Sequence, residues 1–123
     1  MTEKEAQARL MKKVGQRVSF KYPGAEGEKR GVLKDRVVVK STEATHSGAR
    51  FWNVIDLLDF SDATDPWIRF GYYRESGEHL IWARSSLADG QEDLRRLFVA
   101  AAKKAPWFRE LVKGLTADPT LRA

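Results

Sequence analysis

Seven cations crowd the stretch from position 17 to position 40: Arg17, Lys21, Lys29, Arg30, Lys34, Arg36 and Lys40. Clustered lysines and arginines neutralise phosphates and displace condensed counterions, so the chemistry this spacing offers is nucleic-acid backbone binding, not bond making. Arg17, Ser19 and Lys21 alternate with Val18, Phe20 and Tyr22, the pattern of a half-buried strand with a cationic outer face. Base stacking would need exposed rings as well. Phe51, Trp52, Trp67, Tyr72 and Tyr73 are the candidates, although large rings in a small domain serve the core first. Tyr73 is the one expected at the surface, because it shares its side of a strand with Arg69 and Gly71.

A different set suits a protein partner. Residues 51–80 hold two basic and six acidic side chains among many aromatic rings. Trp67, Arg69 and Tyr73 are anchors of the kind that dominate protein interfaces, and the basic regions on either side would steer an acidic protein surface toward them. A third reading places Arg69, Tyr72 or Trp82 around an apolar cavity for a small ligand, between a curved sheet and a C-terminal helix.

Catalytic and metal chemistry find little to work with. The chain has no cysteine and two histidines, His46 and His79. A hydroxyl nucleophile needs an oriented base within reach; folding could bring either histidine near Ser85 or Ser86, but nothing in the spacing requires it. Asp56, Asp59, Asp62 and Asp65 recur every three residues. A calcium loop instead needs acids at alternate positions, a central glycine and a distal glutamate, and on a strand Asp56 and Asp59 point to opposite faces. Gly24-Ala25-Glu26-Gly27 is acidic and precedes a strand, whereas a phosphate cradle opens onto a helix N-terminus. The expectation is a binding domain with no catalytic residue, no metal and no cofactor.

The rest of the chain must position these residues. With 123 residues, 42% hydrophobic and 32% charged, it has the size of one ordinary domain, expected over residues 1–115 with a frayed tail at 116–123. The net charge of +5 is uneven: +6 over residues 1–50, −4 over 51–80 and +3 over 81–123. Met1 to Lys13 is charged throughout and lacks the apolar run of an export signal, and no stretch approaches a membrane span. A cytoplasmic location with no membrane partner is expected.

Thr2-Glu3-Lys4-Glu5 fits a capping box, and Ala6, Leu10, Met11 and Val14 recur at helical spacing, so a helix is predicted from 3 to 14. Lys29 to Leu33 and Val37 to Lys40 read as the arms of a tight hairpin about Lys34-Asp35-Arg36. Ser41 to Arg50 reads as a loop. Phe51 to Phe60 fits either a strand or a helical face, and its β-branched and aromatic start favours strand. Trp67 to Arg74 and His79 to Arg84 flank Glu75-Ser76-Gly77-Glu78 as a hairpin. Ser86 or Asp89 would cap a helix over 91–104, and Pro106 would open another that stops near Gly114.

Gly15-Gln16-Arg17-Val18, a long loop and then Gly31-Val32 with Asp35 and Val37-Val38-Val39 resemble the first strands of small SH3-like barrels. The resemblance covers a quarter of the chain and bears on fold alone. The expected fold class is α+β: a five-stranded antiparallel meander or small SH3-like barrel, a short N-terminal helix, and one or two C-terminal helices packed on it.

Overall fold

The computed structural model describes residues 1–21, 28–42, 49–61, 63–83 and 90–121. The expected loop after Tyr22, most of the Ser41–Arg50 loop with His46, and Ser85, Ser86 and Asp89 lie outside the described residues, as does the Lys21 side chain. The element order is α1 (Glu3–Met11), β1 (Arg17–Lys21), β2 (Glu28–Lys40), β3 (Phe51–Phe60), β4 (Trp67–Ser76), β5 (His79–Trp82), α2 (Gln91–Lys104) and α3 (Pro106–Ala117), followed by a 3-10 turn at Pro119–Leu121. The chain divides into two compact units, Met1–Leu87 and Ala88–Ala123.

In the first unit the strands form an antiparallel meander in the order β1-β2-β3-β4-β5, curled into a half-barrel with β1 and β5 at its edges. The expected turn at Lys34-Asp35-Arg36 does not form. Residues 28–40 are one strand with an irregularity between Leu33 and Asp35, where β2 slips by a residue against β3. A bulge absorbs an extra residue without reversing the chain. The Asp35 carboxylate accepts from the Arg36 amide there at 2.8 Å, which holds the irregular backbone. Phe51–Phe60 is a strand, fixed by pairing with β2 on one side and β4 on the other. The β4–β5 hairpin is tighter than the sequence implies: Ser76 pairs with His79 and the turn is Gly77-Glu78, with Gly77 at φ 59°. Only glycine takes up that left-handed conformation without strain.

The register sorts the side chains into two faces. One carries Leu33, Arg36, Val38, Trp52, Val54, Asp56, Leu58, Phe60, Trp67, Arg69, Tyr73 and Trp82. α1 packs Ala6 and Leu10 against Val38, Trp52, Val54 and Tyr73 on this face, with both helix residues fully buried. Burying one such leucine contributes about 1.5–3 kcal/mol. Thr2 caps α1 by accepting from the Glu5 amide at 3.1 Å, and the helix ends at Met11, with Gly15 at φ 93° closing the turns after it. Ion pairs fix its start: the Met1 amine lies 2.8 Å from Glu78 Oε1, and Lys40 Nζ lies 2.6 Å from Glu3 Oε1. A second cluster, Leu33, Leu58 and Phe60 with Val18 and Ala63, fills the β1 end of the same face. The opposite face carries buried Val37, Asn53, Ile55 and Leu57, with Phe70 and Ile81 exposed toward the β5 side.

The second unit is a pair of helices. α2 has Gly90 at its N-cap, without a side-chain cap hydrogen bond from that residue, while the expected caps Ser86 and Asp89 lie outside the described residues. Ala105, in an extended conformation, both ends α2 and precedes Pro106 at the first position of α3. Arg109 reaches back and donates from Nε to the Ala102 carbonyl at 2.7 Å and from Nη2 to the Lys103 carbonyl at 3.0 Å. It thereby satisfies two carbonyls that the helix end leaves open. Leu97, Ala101, Ala105 and Phe108 are buried, and the Phe98 and Phe108 rings meet at 5.6 Å. α3 continues past Gly114 to Ala117.

Candidate functional site

Three charged residues stand in a row across the middle strands. Arg36 on β2 pairs directly with Asp56 on β3, and Asp56 pairs directly with Arg69 on β4. Asp56 is fully buried and Arg36 is 3% exposed. Arg36 donates from Nε to Asp56 Oδ1 at 2.6 Å and from Nη2 to Oδ2 at 3.0 Å. Two further donors reach the Leu10 carbonyl at 3.1 Å and the Tyr73 hydroxyl at 3.3 Å. Burial works against the Arg36 charge, but the Asp56 hydrogen bonds and negative charge, with Tyr73, outweigh it and hold its pKa above the ordinary value. Arg69, half-buried, donates to Asp56 Oδ2 from Nη2 at 3.0 Å and from Nε at 3.3 Å. One carboxylate therefore serves two guanidiniums, and the row keeps a net positive charge.

That charge borders a cavity of about 460 Å³ lined by Leu58, Trp67, Ile68, Arg69, Phe70 and Trp82. The Trp82 indole lies across Gly71, where a Cβ would collide with its ring, and meets the Tyr73 ring edge-on at 4.9 Å. The Arg69 guanidinium is 4.7 Å from the Trp82 ring centroid. Trp67, 38% exposed, packs edge-on to Phe60 at 5.3 Å. Lys29 Nζ lies 4.2 Å from the Trp67 centroid and 5.0 Å from that of Phe60. Cations over ring faces are attracted by the ring quadrupole, so each tryptophan holds a cation beside the cavity.

The seven cations expected to share one surface are distributed differently. Arg17 and Arg30 are diagonal neighbours on the face away from α1, since Arg17 pairs with Val32 and Arg30 with Ser19. Lys21 pairs with Glu28 along the same edge strand. Lys34 is exposed at the bulge. Lys29 is with the aromatics, and Lys40 is taken by Glu3. Arg36 is a correction: it is a core residue bound to Asp56, not a surface cation. Strand continuity through residue 34 turns its side chain under α1. Tyr73 is a second correction, at 6% exposure. It does share a face with Arg69 and Gly71, but α1 covers that face, and Arg69 is there because Asp56 is its partner. Trp67 and Arg69 are brought together at the cavity, while Tyr73 supports Trp82 from behind.

Arg69 and Trp82 line the cavity as the small-ligand reading expected and Tyr72 does not, while Asp56 and Phe60 are site residues the sequence reading did not assign. Asp56 did carry a signal: an acid flanked by Val54, Ile55, Leu57 and Leu58 is buried on any strand assignment and needs a cationic partner. Asp56 and Asp59 stand on opposite faces, Asp59 exposed. His79 is exposed at the start of β5. Among the described residues, no group of three or more histidines or acids is placed to hold a metal ion, and no helix is long and apolar enough to cross a membrane.

Fold and site together define a helix-capped antiparallel half-barrel bearing a cation–aromatic cavity. No family model matches this chain, and comparison with curated proteins and with solved structures found no significant relative.

Proposed function

We propose that this is a non-catalytic, cytoplasmic binding domain that associates with nucleic acid, contacting phosphates through cations of its sheet. The observation that carries the reading is the shared carboxylate. Asp56 compensates one charge of Arg36 and Arg69, and the surplus stands at the rim of a cavity. A phosphate is the natural complement to that surplus, and Lys29 adds a second cation beside Trp67. Arg17 and Arg30 give a separate patch for the continuing backbone.

A protein partner is the second reading, favoured by the exposure of Trp67 at the cavity. It is weakened in its original form, because Asp56, one of the acids of the central segment, is consumed inside the fold.

Fluorescence anisotropy with labelled single- and double-stranded oligonucleotides over a salt series tests the proposal. Binding at low salt that weakens linearly on a log–log plot is the expected result. Absence of binding at low salt, or binding indifferent to salt, removes it.

A further inference from the structure

We infer that the cavity between Trp67 and Trp82 seats one unpaired nucleotide, its base against the indoles and its phosphate on Arg69. This rests on the nucleic-acid reading and narrows it to single-stranded or flipped-out nucleotides.

The lining sets the chemistry. Arg69 is the one charged residue of the lining, and Leu58, Trp67 and Trp82 share its face of the sheet, whereas Ile68 and Phe70 alternate to the opposite face. At about 460 Å³ the cavity falls within the roughly 300–1,000 Å³ of small-ligand sites. Arg69 spends Nε and Nη2 on Asp56, and Nη1 has no hydrogen-bond partner among the described residues. An occupant must therefore bring an anion for Arg69 and a flat apolar body for the tryptophans. A glutamate or aspartate of a peptide satisfies the arginine and leaves the indoles bare. A paired base is already stacked inside its duplex and must leave it before it can enter. An unpaired nucleotide carries both groups, joined through the sugar.

The walls are also pre-set. Trp82 is held by Gly71 beneath it and Tyr73 at its edge, and Trp67 is held by Phe60. Stacking on rings that are already in place costs little ordering. Lys29, at 4.2 Å from the Trp67 centroid, extends the cationic rim for the next phosphate of a strand. Base–aromatic stacking accepts every base, so the seat prefers single strands with weak sequence preference.

The test uses the full chain and four probes: a short labelled oligothymidylate, the same strand with abasic sites, its duplex with oligoadenylate, and thymidine monophosphate. The intact strand should bind about ten-fold tighter than the abasic strand or the duplex, and quench tryptophan fluorescence. Trp67→Ala should erase that difference, and Arg69→Gln should weaken intact and abasic strands alike. Trp82→Phe, which keeps a ring over Gly71, should retain the fold and reduce the preference. Quenching by thymidine monophosphate that Trp67→Ala removes also supports the seat; if it is as tight as the strand, the free nucleotide is the source. Equal binding of intact and abasic strands, or tighter duplex binding, overturns the seat and leaves the phosphate reading standing. If neither strand nor monophosphate binds, both readings fall.

Discussion

Arg36 and Asp56 face each other across β2 and β3, closed off from solvent and joined by two hydrogen bonds of 2.6 and 3.0 Å. Taking two charges out of water is costly, and their attraction repays it only when every remaining donor is satisfied. Here two further Arg36 donors end on the Leu10 carbonyl and the Tyr73 hydroxyl, so α1, β2, β3 and β4 meet at one guanidinium. The pair lies on the face of the sheet that the helix covers.

Removing the carboxylate should expose this dependence. Asp56→Asn leaves Arg36 buried without a counter-charge and should cost about 3–5 kcal/mol. The triple change Arg36→Met, Asp56→Leu, Arg69→Met should recover most of that loss, since apolar groups of similar size fill the same space. Urea unfolding of both variants checks this; a triple variant no more stable than Asp56→Asn alone refutes it.

The surface cations should behave in the opposite way to Arg36. Arg17→Glu with Lys34→Glu should leave stability within about 0.5 kcal/mol, because both side chains are exposed. The same change should lower the salt dependence of nucleic-acid binding. Arg36→Gln should act through the melting temperature instead. Thermal unfolding and anisotropy on the same preparations separate the two behaviours.

Acid should loosen α1 before it melts the sheet. The Lys40 hydrogen bond holds the Glu3 carboxyl below its ordinary 4.5, and the Met1 amine does the same for Glu78. A carboxyl lowered in the folded state contributes stability that is fully present above its unfolded pKa and lost as pH falls through the folded value. Both ties should therefore weaken below about 4.5, from the α1 end of the unit. Amide exchange compared at roughly pH 6 and about pH 3 should show protection lost first in residues 3–11, ahead of β3. Simultaneous loss in α1 and β3 contradicts this.

Gly71→Ala should injure the cavity wall specifically. The new Cβ collides with the Trp82 indole, which must swing away from Tyr73 and Arg69. Overpacking of this kind costs about 1–3 kcal/mol. Tryptophan emission should shift to longer wavelength as the ring gains solvent. An unchanged spectrum and melt would show that the indole has room to give.

The sequence disclosed the elements better than the depth of their side chains. Thr2 as a cap, Pro106 as a helix opener and the alternation of residues 67–74 are local signals, and each element formed where its signal lay. The turn expected at Lys34-Asp35-Arg36 failed because three consecutive polar residues read as a reversal, when one of them was a bulge and another a buried ion-pair partner. Whether a charged residue faces water depends on what lies opposite it on the neighbouring strand. Arg36 finds Asp56 twenty positions later, and Arg69 finds the same residue from the other side. Tyr73 was misjudged for the same reason. The cavity draws on β3, β4 and β5 together: Trp67 is set against Leu58 by one register and Trp82 against Tyr73 by another, which no single run of residues displays.

The tethering of α1 has a consequence for how the molecule is made. The helix is nine residues long, too short to persist alone, so it depends on the sheet it packs against. Its packing partners Val38, Trp52, Val54 and Tyr73 lie on three different strands, all distant from it along the chain. Until β2, β3 and β4 have paired, Leu10 and Ala6 have no seat, so the half-barrel closes in a late, concerted step whose speed is governed by long-range topology.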